Sequence, residues 1–132
     1  MLAEMKAEEP RLEETTTLGH WIDVCRVDDI APGTGVAALI DGEQIALIRP
    51  TDEARVYALS NFDPFSKAFV ISRGIVGDRK GVLKIASPVY KQNFSLETGR
   101  CLDDDSVSLP TYETRVIEGR VHVEIRQLAE RP

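Results

Sequence analysis

Cys25, Cys101, His20 and His122 are all the cysteine and histidine this chain has. Two thiols and two imidazoles are the donors of a tetrahedral zinc site. They also suit a two-iron cluster with thiolates on one iron and imidazoles on the other. The spacing argues against both. His20 and Cys25 lie on one predicted strand at an odd offset, which turns side chains to opposite faces. Cys101 closes a turn and His122 sits inside a different strand, with no C-x-x-C or H-x-x-x-H pair anywhere. Ligands must converge to within about 2.3 Å of a metal, and nothing in the sequence brings these four together. The cysteines read as small, buried, reduced thiols in a chain with no visible secretion signal.

Other candidates for chemistry are weaker. Asp103, Asp104 and Asp105 lack the alternating oxygens, central glycine and closing glutamate of a calcium loop, so they predict a solvated acidic loop. Gly74, Gly77 and Gly81 do not form a phosphate-cradling pattern, and there is no G-x-S-x-G. His122 alternates with Val121 and Val123 and is predicted to be solvated or half-buried on the face opposite to them.

The elements around these residues are short and β-like. "WIDVCRV" predicts a strand with Trp21, Asp23, Cys25 and Val27 on one side. "VAALI" and "EQIALIRP" flank Asp41-Gly42, a strong hairpin signal. "RVYALS" predicts another strand. "NFDPFSKAFVISRGIVGDRKG" reads as loop, punctuated by Pro64, Gly74, Gly77 and Gly81. "VLKIA" and "QNFSL" predict two short strands joined through Ser87-Pro88-Val89-Tyr90. "YETRVI" and "RVHVEIRQL" predict a closing hairpin around Glu118-Gly119. No long helix is indicated. The expected architecture is an all-β antiparallel sandwich or small barrel, with an insertion at about residues 61–101 between early and late strands.

At 132 residues, 42% of them hydrophobic, the chain fits one domain with a core of its own. Residues 1–17, with Glu4, Glu8, Glu9, Glu13 and Glu14 against Lys6 and Arg11, predict a flexible acidic arm ahead of a domain spanning 18–128. The formal net charge of −6 disfavours nucleic acid and anionic lipid as partners. No apolar run approaches the ~20 residues of a membrane span.

The insertion resembles the cluster-binding subdomain of Rieske-type ferredoxins. In "LSNFDPFSKA", Asp63-Pro64-Phe65 stands where that family has Cys-Pro-His. In "ASPVYKQNFSLETGRC", Ser87-Pro88-Val89-Tyr90 stands where it has Cys-Pro-x-His. The linker "VISRGIVGD" is similar to the segment between the two loops. The frame prolines remain, and all four ligand positions are replaced by Asp63, Phe65, Ser87 and Tyr90. The resemblance therefore implies a Rieske-like fold with no iron–sulfur cluster. Phe65 and Tyr90 are expected to plug the vacated volume, with Asp63 or Ser87 partnering the Tyr90 hydroxyl.

The two loops are more closely similar to the small subunit of assimilatory NAD(P)H-dependent nitrite reductase, over about Trp21 to Ile125. That family implies a cytoplasmic enzyme reducing nitrite to ammonium, whose large subunit carries FAD, siroheme and a 4Fe–4S cluster. The small subunit is expected to bind no cofactor, to hold no catalytic residue, and to dock on or stabilise its partner. By the same resemblance Phe62, Phe65, Lys67, Tyr90, Lys91 and Gln92 are candidate docking residues at the loop tips. Two alternatives stay open: a stand-alone Rieske-like binding module without redox function, and a working electron carrier with an unusual ligand set. Bound iron and colour would mark the carrier. Recovery of a siroheme flavoprotein as partner would set the accessory subunit apart from the module.

Overall fold

The structure is a computed structural model that describes residues 19–126. The acidic arm expected at 1–17 lies outside the described residues. Twelve strands and two single 3-10 turns make up the domain. The strands are β1 (Gly19–Arg26), β2 (Thr34–Ile40), β3 (Glu43–Arg49), β4 (Tyr57–Ser60), β5 (Phe62–Asp63) and β6 (Ala68–Phe69), then β7 (Ile75–Arg79), β8 (Val82–Ala86), β9 (Asn93–Ser95), β10 (Thr111–Tyr112), β11 (Thr114–Ile117) and β12 (Arg120–Arg126). Every pairing between them is antiparallel.

A four-stranded sheet, β10-β4-β3-β2, lies at the centre. Its middle strand β3 is buried from Ile45 through Arg49 without interruption, because both faces are covered. Ile45 and Leu47 face a core shared with Val121 and Val123 of the β11-β12-β1 sheet. Ala46 and Ile48 face a second core, shared with Ile85, Phe94 and Leu96 of the β9-β8-β7 sheet and the segment after it. The all-β antiparallel expectation holds. The inserted subdomain is thus bonded to the base domain by its own core.

Arg49 is buried at the end of β3 and binds four main-chain carbonyls: Val27, Ile30, Asp52 and Glu53, at 2.9–3.3 Å. It ties the turn after β1 to the loop before β4.

Two parts of the sequence reading need correction. β1 does not alternate through its length. Its register with β12 passes from Cys25↔Val121 to Asp23↔His122, leaving Val24 as a bulge. As a result Ile22, Val24 and Cys25 all pack on the first core, and Asp23 is exposed. The "loop" at 61–81 also contains structure: the small β5–β6 hairpin, a 3-10 turn at Ile71–Arg73, and β7. β7 turns into β8 through Lys80-Gly81, with φ of 53° and 88°. This two-residue turn has both φ positive, as do Asp41-Gly42 and Glu118-Gly119. Gly77 and the charged end of β7 masked its strand character.

Candidate functional site

Asp63 ends β5 and Ser87 follows β8, so one sits at the start of each loop. The two loops repeat one geometry. In the first, the Lys67 amide donates to the Asp63 carbonyl at 2.7 Å, and the Phe65 amide donates to Asp63 Oδ1 at 2.9 Å. In the second, the Lys91 amide donates to the Ser87 carbonyl at 3.1 Å, and the Val89 amide donates to Ser87 Oγ at 3.3 Å. Proline follows each leading residue, and each loop closes on a lysine with positive φ, 61° at Lys67 and 67° at Lys91. A third turn of the same design lies beside them. The Gly99 amide donates to the Ser95 carbonyl at 2.8 Å, Ser95 Oγ accepts from the amides of Glu97 and Thr98, and Gly99 has φ of 78°.

The first two loops are joined through their leading residues. Ser87 Oγ–H donates to Asp63 Oδ2 at 2.5 Å, and both residues are fully buried. Ser66 Oγ donates to the same oxygen at 2.9 Å. Burial by itself would push the Asp63 carboxyl up. The hydrogen bonds from Ser87, the Phe65 amide and Ser66 outweigh it and hold Asp63 below its usual value.

These residues do not fit an iron–sulfur cluster. Two tetrahedral ligands about 2.0–2.3 Å from one metal stand more than ~3 Å apart. The Asp63 and Ser87 oxygens are in hydrogen-bond contact at 2.5 Å, with no room between them for an iron. Phe65 offers no ligand atom. Cys25 packs on the first core and Cys101 is buried in the second, on opposite faces of the central sheet, so the two thiols do not converge on one point. His20 lies 3.6 Å from Asp41, and His122 lies 3.8 Å from Asp23. Among the described residues no three His, Cys, Asp or Glu side chains cluster as a metal site.

Phe65 does turn inward, half-buried, its ring 6.2 Å from that of Phe94. Tyr90 does not. It is 61% exposed, so it neither plugs the site nor takes its hydroxyl to Asp63 or Ser87. The tie between Asp63 and Ser87, with the Ser66 and Phe65 donors, already engages their donors and acceptors. Of the other tip residues, Lys67 and Lys91 are exposed. The Lys91 ammonium reaches back to the Pro88 carbonyl at 3.3 Å. Phe62 is half-buried and stacks at a tilt on Phe69, 5.1 Å between centroids. Gln92 is half-buried, its carbonyl accepts from the Ser87 amide, and its side-chain oxygen is buried without a partner among the described residues. The Gln92 main chain thus serves the loop's interior.

Sequence reasoning missed several residues that hold this site. Asn61 is buried just before the first loop, donates to Gln44 Oε1, and accepts from the Ser72 amide at 2.7 Å. Asp103 is not simply a solvated acid. It accepts from the Asn93 amide at 2.8 Å and pairs with Arg79 at 3.1 Å, contacts that hold its carboxyl low. Polar residues flanking the predicted strands were the available signal, but their partners lie far along the chain.

Two packed antiparallel sheets with a hairpin-loop subdomain define a Rieske-like domain whose two loops are tied to each other by the Ser87–Asp63 hydrogen bond. The family model of the Rieske-like [2Fe-2S] domain matches residues 20–124. The chain is 45% identical over 106 residues to the nitrite reductase (NADH) small subunit of Salmonella typhimurium, covering 80% of this chain and 98% of that protein. The solution structure of the nitrite reductase [NAD(P)H] small subunit from Erwinia carotovora superimposes with a TM-score of 0.72 at 48% identity, covering 81% of this chain and 82% of that one. The nitrite reductase [NAD(P)H] large subunit of Klebsiella oxytoca contains a matching stretch, 39% identical over 111 residues, which covers 84% of this chain and 11% of that protein. The chain belongs to the family of nitrite reductase small subunits.

Proposed function

We propose that this chain is the accessory, cofactor-free subunit of nitrite reductase [NAD(P)H], docking on a large subunit that carries out the reduction of nitrite to ammonium. The observation that carries this reading is the buried Ser87–Asp63 hydrogen bond at the ligand positions. It leaves the loop pair rigid and without a redox group, which suits recognition and not electron transfer. In this reading FAD, siroheme and the 4Fe–4S cluster belong to the partner, and the complex is cytoplasmic. Among the described residues no helix is long and apolar enough to cross a membrane.

The loop tips form the docking face in this reading, through Phe62, Lys67, Lys91 and the rim of Gln92. Unlike Lys80, Asp41 and Glu118, whose positive φ serves two-residue hairpin turns, Lys67 and Lys91 close the two loop tips in a left-handed backbone that favours glycine, and the equivalent position of the third turn is Gly99. Exposed lysines held there at a conformational cost support a role outside the fold. The test is reconstitution with purified large subunit. NADH-dependent nitrite reduction should rise when this chain is added, with no iron bound to the chain by itself. Lys67→Glu with Lys91→Glu should weaken association, more so at low salt. Equal activity with and without the chain would remove the reading.

A further inference from the structure

A second surface adjoins the loop face and carries its own argument. Leu39, 74% exposed at the end of β2, and Phe69, 52% exposed on β6, line one groove with Gly42, Glu43, Gln44 and Ser60. Phe62 supports Phe69 from behind. Seven large apolar side chains are exposed among the described residues, and Leu39, the most exposed of them, and Phe69 are the two that share this groove.

The position of the groove says what covers it. Gly19 and Arg126 are register partners at the open end of the β1–β12 ladder, so the polypeptide enters and leaves the described domain at one place. His20, next to Gly19, contacts Asp41 at 3.6 Å, and Asp41 lies between Leu39 and Gly42 of the groove. The groove and the entry point are therefore neighbours. In the Klebsiella oxytoca large subunit a domain of this kind is part of the longer polypeptide. Wherever it lies in that chain, it is joined to the rest through at least one of these two ends. The polypeptide that connects it to the rest of the large subunit then leaves the domain beside the groove.

We infer that the Leu39–Phe69 groove is a contact surface for the nitrite reductase large subunit, continuous with the chain ends. This rests on the docking reading above and adds a second, apolar contact to the loop tips. Glu43, Gln44 and Ser60 beside the apolar pair Leu39 and Phe69 give the pattern of an apolar centre with a polar margin.

The test titrates the full chain onto immobilised large subunit. Leu39→Asp combined with Phe69→Asp should weaken association at least tenfold, the scale of losing one apolar anchor. Leu39→Asp singly keeps the experiment readable if the double variant folds poorly, since Leu39 is 74% exposed. Ile117→Asp is the control. Ile117 is exposed at the opposite end of the β12 ladder from Arg126, about 20 Å away by strand rise, and its affinity should not change. If the groove variants bind normally while Lys67→Glu/Lys91→Glu binds weakly, the groove inference is overturned and the loop-tip reading stands. If the wild-type chain does not bind, both fall. If sedimentation shows a dimer that Leu39→Asp converts to monomer, the groove belongs to a second copy of this chain and the inference is overturned.

Discussion

Asp63 is a buried carboxylate with no charged group among the causes acting on it; neutral donors alone hold it. Its role is local and follows from its partners. Ser87→Ala leaves Asp63 Oδ2 short of a donor in a site closed to water, and should lower stability by about 1–3 kcal/mol in urea denaturation. The pH dependence has a definite sign. A carboxyl held low in the folded state adds stability that is fully present above its unfolded value, near 3.9. That stability is lost as pH falls through the lower folded value. The stability gap between wild type and Asp63→Asn should stay constant from pH 7 to about 5 and shrink toward pH 3. A gap that does not move in acid would contradict this account. At this scale the sequence picked out Asp63, Phe65, Ser87 and Tyr90 by resemblance to ligand positions. It did not show their roles. Tyr90 reads as a plug because it is aromatic, yet it points outward because Ser87, three residues earlier, already satisfies Asp63.

The turns govern the elements. Lys67, Lys91 and Gly99 each close a turn in which an amide donates four residues back to a carbonyl, with φ between 61° and 78°. At Gly99 a Cβ would stand 2.1 Å from the Leu109 carbonyl oxygen. Gly99→Ala should therefore cost about 2–4 kcal/mol, from backbone strain and overpacking together. Lys67→Gly and Lys91→Gly relieve the same strain in the open. Each should leave the melting temperature unchanged or raise stability by up to about 1 kcal/mol. These two variants remove charge without harming the fold, so they separate docking from stability. A marked loss of stability in either would show that its lysine side chain serves the fold. The Asp-Gly and Glu-Gly hairpins were legible in the sequence because their turn chemistry is local. β7 was not, because its strand character comes from pairing with β8 and not from alternation.

The whole molecule is organised around β3, which serves two cores at once. Leu47→Ala opens one and Ile48→Ala the other, and each should cost about 2–5 kcal/mol. The two cores should still unfold together, because they share one strand. Trp21, the single tryptophan, lies on β1 in the sheet packed against the first core. Ile48→Ala should nonetheless lower the denaturation midpoint read from Trp21 fluorescence, and circular dichroism should give the same midpoint. Separate transitions would mean the inserted subdomain unfolds independently.

The sequence by itself determined the class of fold and the residue types at the two loops. Turn residues, strand periodicity and ligand identities are properties of short stretches, and they can be read where they stand. The tertiary structure decided how the two loops meet. Asp63 and Ser87 are apart in sequence and meet only because β5 and β8 carry the two loops to one point, and that closeness fixes both the buried hydrogen bond and the outward turn of Tyr90. It also decided that Gly19, Asp41, Leu39 and Phe69 share one end of the molecule, since that depends on how the sheets pack, a property no single stretch carries.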